Sequence, residues 1–221
     1  MNVIEALTSR HSTRAFLPRP VPRETVERIL DAASRAPSGA NTQPWQVAVA
    51  NGTCLARLLA AIEQAYRDGE PQAMDYRYYP SRWEEPFKGR RIECGMLLYG
   101  ALGIEREDRE RRREQWIANY RAFGAPMVIF FLMRRGLESG SYMDMGMFIQ
   151  SVMLAARGEG PATCPQAALA EYPGIVRDAL GFDEDHVVLC GVAIGHEDPD
   201  APVNGYRTPR APLSEFARFL D

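Results

Sequence analysis

The chain has no apolar run approaching the roughly 20 residues that a membrane-spanning helix requires. Its longest apolar stretches, 125–133 and 187–195, have the length of buried strands. Metal-ligand patterns are missing as well. There are three histidines and four cysteines, and Cys54, Cys94, Cys164 and Cys190 form no C-x-x-C pair and stand near no His at ligand spacing, which excludes a zinc site as the expected centre. No Gly-x-Gly-x-x-Gly turn follows a strand, so the cradle that holds a dinucleotide pyrophosphate is absent. No basic region followed by an apolar core opens the sequence, so no signal peptide is expected and the cytoplasm is the expected location. Charge of one sign is not in excess. The 26 Lys and Arg against 29 Asp and Glu leave a net charge of -3, which directs the chain toward neither nucleic acid nor an anionic membrane.

What remains is ordinary for one well-filled domain over residues 1–221, with 46% apolar and 25% charged residues and no internal repeat. The densest charged stretch, 105–114, holds five Arg and five acidic residues. It reads as the solvated face of a helix. Strands are expected at 46–50, 127–133 and 187–194, separated by helical stretches, which predicts an α+β or α/β sandwich.

Two short segments concentrate hydrogen-bonding groups where a helical pattern stops. Residues 2–8 read as a helix with Asn2 as N-cap and Glu5 completing a capping box. Arg10, His11, Ser12, Thr13 and Arg14 follow. If that stretch is extended, Arg10, Ser12 and Arg14 share one side and present two guanidinium forks and a hydroxyl to an anion; the alternative is a solvated Arg-rich turn. A second helix, 24–35, has Pro22 in its first turn and a buried stripe of Val26, Ile29, Leu30 and Ala33. Pro37 and Gly39 stop it. Ser38, Asn41, Thr42 and Gln43 then place four donor-acceptor side chains in six positions, and their amides can pair with a heterocycle edge. A plain polar loop is the other reading.

Residues 66–120 read as irregular. Tyr76, Tyr78, Tyr79, Pro80, Trp83, Pro86 and Phe87 fall within twelve residues, interleaved with Arg77 and Arg82. They suit either a lid over a substrate or a surface excursion packed on the body or a partner. Met143, Met147, Ile149, Met153 and Leu154 mark 142–157 as a core helix. Cys190 reads as a core thiol, and His186 and His196 have no partner visible in the sequence.

Taken in order, Arg10-His-Ser-Thr-Arg14, Pro37-Ser-Gly-Ala-Asn-Thr-Gln-Pro-Trp45, Phe123-Gly-Ala-Pro126, Gly160-Pro-Ala-Thr-Cys-Pro165, Gly191-Val-Ala-Ile-Gly195 and Arg210-Ala-Pro-Leu213 resemble the FMN-dependent nitroreductase family over nearly the whole chain. Tyr78-Tyr-Pro-Ser-Arg-Trp83 and Gly103-Ile-Glu-Arg-Glu-Asp108 look most like its nitrobenzoate and nitroaromatic branch. The resemblance implies an α+β, nitroreductase-like three-layer α/β/α sandwich with a central, mostly antiparallel sheet, in a domain-entwined homodimer whose interface includes the Met-rich helix. It implies FMN as cofactor, NADH or NADPH as donor, and a nitroaromatic or quinone acceptor reduced by ping-pong two-electron transfers.

The same resemblance distributes roles. Arg10, Ser12 and Arg210 would clasp the FMN phosphate, with Arg207 as their neighbour, and Arg14 would lie near the pyrimidine edge. His11 would lie near the isoalloxazine. Pro37, Ser38, Gly39, Asn41 and Gln43 would engage ribityl or ring atoms, some of them across the dimer. Pro161, Ala162 and Thr163 belong to a loop whose backbone would reach the flavin N5, with Cys164 packed over the ring. Arg77, Arg82 and Trp83 are the implied acceptor contacts. Reductive dehalogenation is an alternative on the same scaffold, ranked lower because Lys88 is the lid's only Lys. A quinone or enone reductase and a flavin-storing or flavin-consuming protein are the others.

Overall fold

The computed structural model describes residues 1–220. The expected capping box opens α1 (Val3–Ser9): the Glu5 amide donates to Asn2 Oδ1 at 2.9 Å, and the Asn2 amide donates back to Glu5 Oε2 at 3.0 Å. Helix α2 (Arg23–Ala33) buries Val26, Ile29 and Ala33 of the expected stripe and leaves Leu30 partly buried, and Pro22 stands at the N-cap and not inside the first turn. Helix α3 (Gly52–Asp68) buries Leu55, Leu58, Leu59, Ile62 and Ala65 at helical spacing and ends on Gly69, whose φ of 76° makes the left-handed stop.

Five strands form one sheet: β1 (Phe16–Leu17), β2 (Gln46–Asn51), β3 (Met127–Arg134), β4 (Ala162–Gln166) and β5 (His186–Glu197). The order is β1-β5-β3-β2, with β4 also on β5, and every strand pairing is antiparallel. All of β3 but Arg134 is buried, which requires cover on both faces. Val128, Phe130 and Leu132 pack toward α3 and α7 (Pro173–Leu180). Ile129, Phe131 and Met133 pack toward α2 and α6 (Ser139–Glu159). The result is the expected three-layer sandwich. The two glycines of the 191–195 motif are required by close approach, since a Cβ on Gly191 would lie 2.5 Å from Leu169 Cδ1 and one on Gly195 2.8 Å from Pro126 Cδ.

Three expectations are corrected. About half of residues 66–120 is helical, through the end of α3, α4 (Phe87–Ala101) and α5 (Arg109–Ile117), with irregular stretches at 69–86 and 102–108 between the helices. Helix α4 buries no residue, so its apolar side chains make no stripe that a periodicity search would find. The 160–165 segment is not a loop but leads into β4. The Met-rich helix is only half core: Met145 and Met153 are buried, while Met143 is 70% exposed. Among the described residues no helix is long and apolar enough to cross a membrane.

Candidate active site

After α1 the chain runs alongside β4. The Thr13 amide donates to the Thr163 carbonyl at 3.1 Å, and Ser12 bridges Thr163 in parallel register. Thr13 is fully buried, so Ser12 and Arg14 face the opposite way. The Arg14 guanidinium donates to Tyr206 Oη at 3.0 Å and to the Ser12 carbonyl at 3.3 Å, and its amide donates to Asn204 Oδ1 at 2.8 Å. Arg207 is turned onto the Asn204 and Tyr206 carbonyls, at 2.7 and 2.8 Å. Arg210 folds over Thr208 and the Pro209 carbonyl.

Arg10 is the exception. Its Nη1 is buried without a hydrogen-bond partner, and burial first, then the charge of Arg210, lowers its pKa. None of Arg10, Arg14, Arg207 and Arg210 pairs with a carboxylate among the described residues. A buried donor left open beside a like charge is costly, and an anion relieves both costs. Cys164 lies within this field, but burial pushes its thiol up to about 11 against the pull of Arg14, Ser12 and Arg10. It is a packing group at neutral pH.

The polar loop 37–45 is held under backbone strain. Ala40, Asn41 and Gln43 have φ of 48°, 58° and 48°, a left-handed region that costs non-glycine residues on the order of 1 kcal/mol each. Helix α6 fixes both ends. The Gly39 amide donates to the Asp144 carboxylate at 3.3 Å, and Trp45 stacks on Phe148, one turn further along, with centroids 4.6 Å apart at 11°. Inside the loop, the Gln43 amide donates to Ser38 Oγ at 3.0 Å. Asn41 and Gln43 remain exposed. No hydrogen bond or ion pair joins this loop to the arginines of the same protomer among the described residues.

A cavity of about 290 Å³ opens at the end of β4, walled by Tyr76, Tyr78, Tyr142, Met153, Leu189 and residues 165–167. Strands rise about 3.3 Å per residue, so β4 carries the chain about 10 Å from Ser12's partner Thr163 to this wall at Gln166. One strand therefore joins an anion cluster to an apolar, aromatic slot. Cys190 lines the slot, and burial pushes its thiol up to about 12. Tyr142, Gly146, Ile149 and Met153 supply the α6 wall; their helical spacing was readable, but nothing in the sequence said what they faced.

Several candidates fall elsewhere. Arg77 and Arg82 are exposed and off the cavity wall, and Trp83 packs on Tyr79 at 5.5 Å beneath the Arg91 guanidinium at 5.4 Å. The His11 ring is engaged at both nitrogens, by Glu197 Oε1 at 3.0 Å and the Ser9 carbonyl at 3.3 Å. Pro161, Ala162 and Thr163 are buried beside it, so they offer backbone only. His186 does have a partner, Asp183 Oδ1 at 2.5 Å. No group of three His, Cys, Asp or Glu among the described residues is arranged to hold a metal.

The profile described as the nitroreductase family matches residues 7–196. The chain is 35% identical over 214 residues to the 4-nitrobenzoate reductase of Pseudomonas putida, covering 97% of this chain and 93% of that one. Among solved structures, it superposes on the FMN and NADPH-dependent nitroreductase NfnB from sphigopyxis sp. strain HMH with a TM-score of 0.96, 40% identity and full coverage of both chains. On the FMN-dependent NfnB from Mycobacterium smegmatis in complex with NADPH the TM-score is 0.94, with 37% identity, 99% of this chain and 97% of that one.

Proposed function

The chain belongs to the nitroreductase family, and from that premise we propose that it is an FMN-dependent NAD(P)H oxidoreductase that reduces nitroaromatic compounds. The observation that carries the reading is the open Nη1 of Arg10, within the field of Arg210, at one end of β4 while an aromatic cavity stands at the other. FMN, when bound, supplies two-electron transfer from nicotinamide to acceptor at one ring face in turn. Arg10, Ser12 and Arg210 would hold its phosphate. Arg14, fixed by Tyr206, Asn204 and the Ser12 carbonyl, would keep a positive charge beside the ring and so favour its acceptance of electrons. β4 and the cavity wall would orient the ring and exclude water.

The protein acts as a homodimer. Val3, Ile4, Ile92, Met96, Met143 and Phe216 are more than half exposed in the protomer, apolar side chains that a partner subunit would cover. The partner also brings the 37–45 loop to the site, which among the described residues bonds to none of its own protomer's arginines. The location is the cytoplasm, and the acceptor is a nitroaromatic or a quinone.

Heat-released ligand identified by chromatography tests the cofactor: FMN is expected, and FAD or no flavin after reconstitution overturns the assignment. Anaerobic NADPH reduction followed by nitrobenzene, a nitrobenzoate and a quinone tests the activity. A flavin reduced by NADPH but reoxidised by none of them sinks the reductase reading.

A further inference from the structure

Strand β5 has an unpaired edge beside the cavity. On one side it pairs with β3 from His186 to Ile194, but the register slips between Phe131 and Leu132: Phe131 faces Cys190, Leu132 faces Val188, and Leu189 is left over as a bulge. On the other side β4 ends at Gln166 opposite Gly191, so the backbone before Gly191 has no strand partner there. Bulges re-aim side chains and backbone next to functional sites, and the polar groups they free must be satisfied.

Two adjacent residues of the irregular segment do so. Asp75 Oδ2 accepts the Val188 amide at 3.0 Å, and Tyr76 donates its hydroxyl to the Leu189 carbonyl at 2.6 Å. The Asp75 side chain is only 7% exposed and is gripped by Arg177 Nη1 at 2.6 Å and Arg135 Nη2 at 2.7 Å. Arg177 also donates to the His186 carbonyl at 3.1 Å, and Arg135 to the Glu184 carbonyl at 2.8 Å. The carboxylate is thus locked to α7 and to the one end of the β3–β5 ladder where Arg134 pairs with His186. Tyr76, one residue on, stands between Tyr142 at 5.6 Å and Tyr78 at 6.2 Å and walls the cavity.

We propose that Asp75 is a positioning residue for acceptor selection: docked on the open edge of β5, it fixes Tyr76 as a rigid wall and so sets which acceptor shapes the cavity admits. The inference rests on the reductase reading above. The carboxylate touches no reacting group. Its effect passes through one peptide unit to a ring that a free irregular segment would let swing.

The test compares FMN-loaded wild type, Asp75→Asn and Tyr76→Phe with nitrobenzene and a fused-ring nitroarene, at saturating NADPH. Wild type is expected to favour the smaller acceptor. Asp75→Asn should reduce the ratio of the two kcat/KM values by about fivefold, through KM for nitrobenzene, with its kcat held within about twofold. Tyr76→Phe keeps the ring and removes the tether, and should shift the ratio the same way. Hydrogen exchange should become faster at Val188 and Leu189 in the Asn variant. An unchanged ratio in both variants overturns the proposal, as does an equal fall in kcat for both acceptors, which is what loss of fold alone produces. If Asp75→Asn does not fold, Tyr76→Phe decides alone. A wild type that binds no flavin instead overturns the underlying reading and removes this one with it.

Discussion

Arg10 and Arg210, from opposite ends of the chain, oppose each other as like charges, and one Arg10 nitrogen is left buried without a partner. Such a pair is unfavourable until an anion enters. Arg210→Ala should therefore leave the ligand-free protein as stable as wild type or more so, and weaken FMN. A charge-assisted contact is worth about 1.5–3 kcal/mol, or roughly one to two orders of magnitude in Kd. Titration of apo-protein with FMN, beside melting curves with and without inorganic phosphate, measures both effects. Unchanged FMN affinity would remove Arg210 from the phosphate site.

Arg14 is placed differently. Its guanidinium is oriented by Tyr206 Oη and the Ser12 carbonyl, and the phosphate is assigned to other residues. Arg14→Ala is expected to retain most FMN binding and to lower the flavin reduction potential, because the charge that favours an anionic reduced ring is gone. Spectroelectrochemistry of the bound flavin reads the sign directly. A raised potential contradicts the assignment.

The fold should carry one clear acid transition. The Glu63 carboxyl is held at about 2, chiefly by hydrogen bonds from Arg121 and further by Arg67, against the opposing effect of burial. Its folded value lies below the ordinary 4.5, so its contribution is fully present above that pH and is lost as pH falls from about 4.5 toward 2. Urea midpoints measured between pH 6 and pH 3 should drop across this window. Glu63→Gln should flatten that part of the profile.

How much of this was legible beforehand follows from which interactions are local. The apolar runs at 127–133 and 187–195 could only be buried strands, and Asn2 with Glu5 could be paired by counting three residues. Arg10 and Arg210 stand together in the sequence only through the order of motifs. Helix α4 was not, because a helix that buries nothing in its own protomer carries no stripe. The His11–Glu197 pair spans 186 positions, and the Leu189 bulge exists only once β3 and β5 choose a register; neither leaves a periodic trace. Arg82 and Trp83 have chemistry suited to a nitrobenzoate, but chemistry does not set direction, and the residues of this segment that reach the cavity wall are Tyr76 and Tyr78.

Asp144 should matter more for FMN than its distance from the arginines suggests. It anchors a loop in which Ala40, Asn41 and Gln43 are all left-handed, and such conformations persist only where the surroundings over-determine them. Asp144→Ala removes one backbone anchor, a loss of about 1 kcal/mol, and should speed hydrogen exchange across 38–43 and weaken FMN about fivefold. Trp45 remains stacked on Phe148, so the global melting temperature should move little. A large fall in melting temperature with unaltered FMN affinity would make Asp144 a core residue only.

The two halves of the aromatic segment differ in what they reach. Tyr78 lines the cavity and meets Tyr76 edge to face, whereas Arg82 is exposed and off the wall. An aromatic contact is worth about 0.5–1.5 kcal/mol, so Tyr78→Ala should raise the KM for neutral nitroarenes roughly two- to tenfold. Arg82→Ala should leave it within about twofold, since an exposed charge is screened and pairs weakly. Comparison of nitrobenzene with 4-nitrobenzoate sharpens the test. If Arg82→Ala selectively raises KM for the carboxylate while Tyr78→Ala affects neither, the acceptor is held by the arginine side of the segment, and the cavity of the protomer is not its seat.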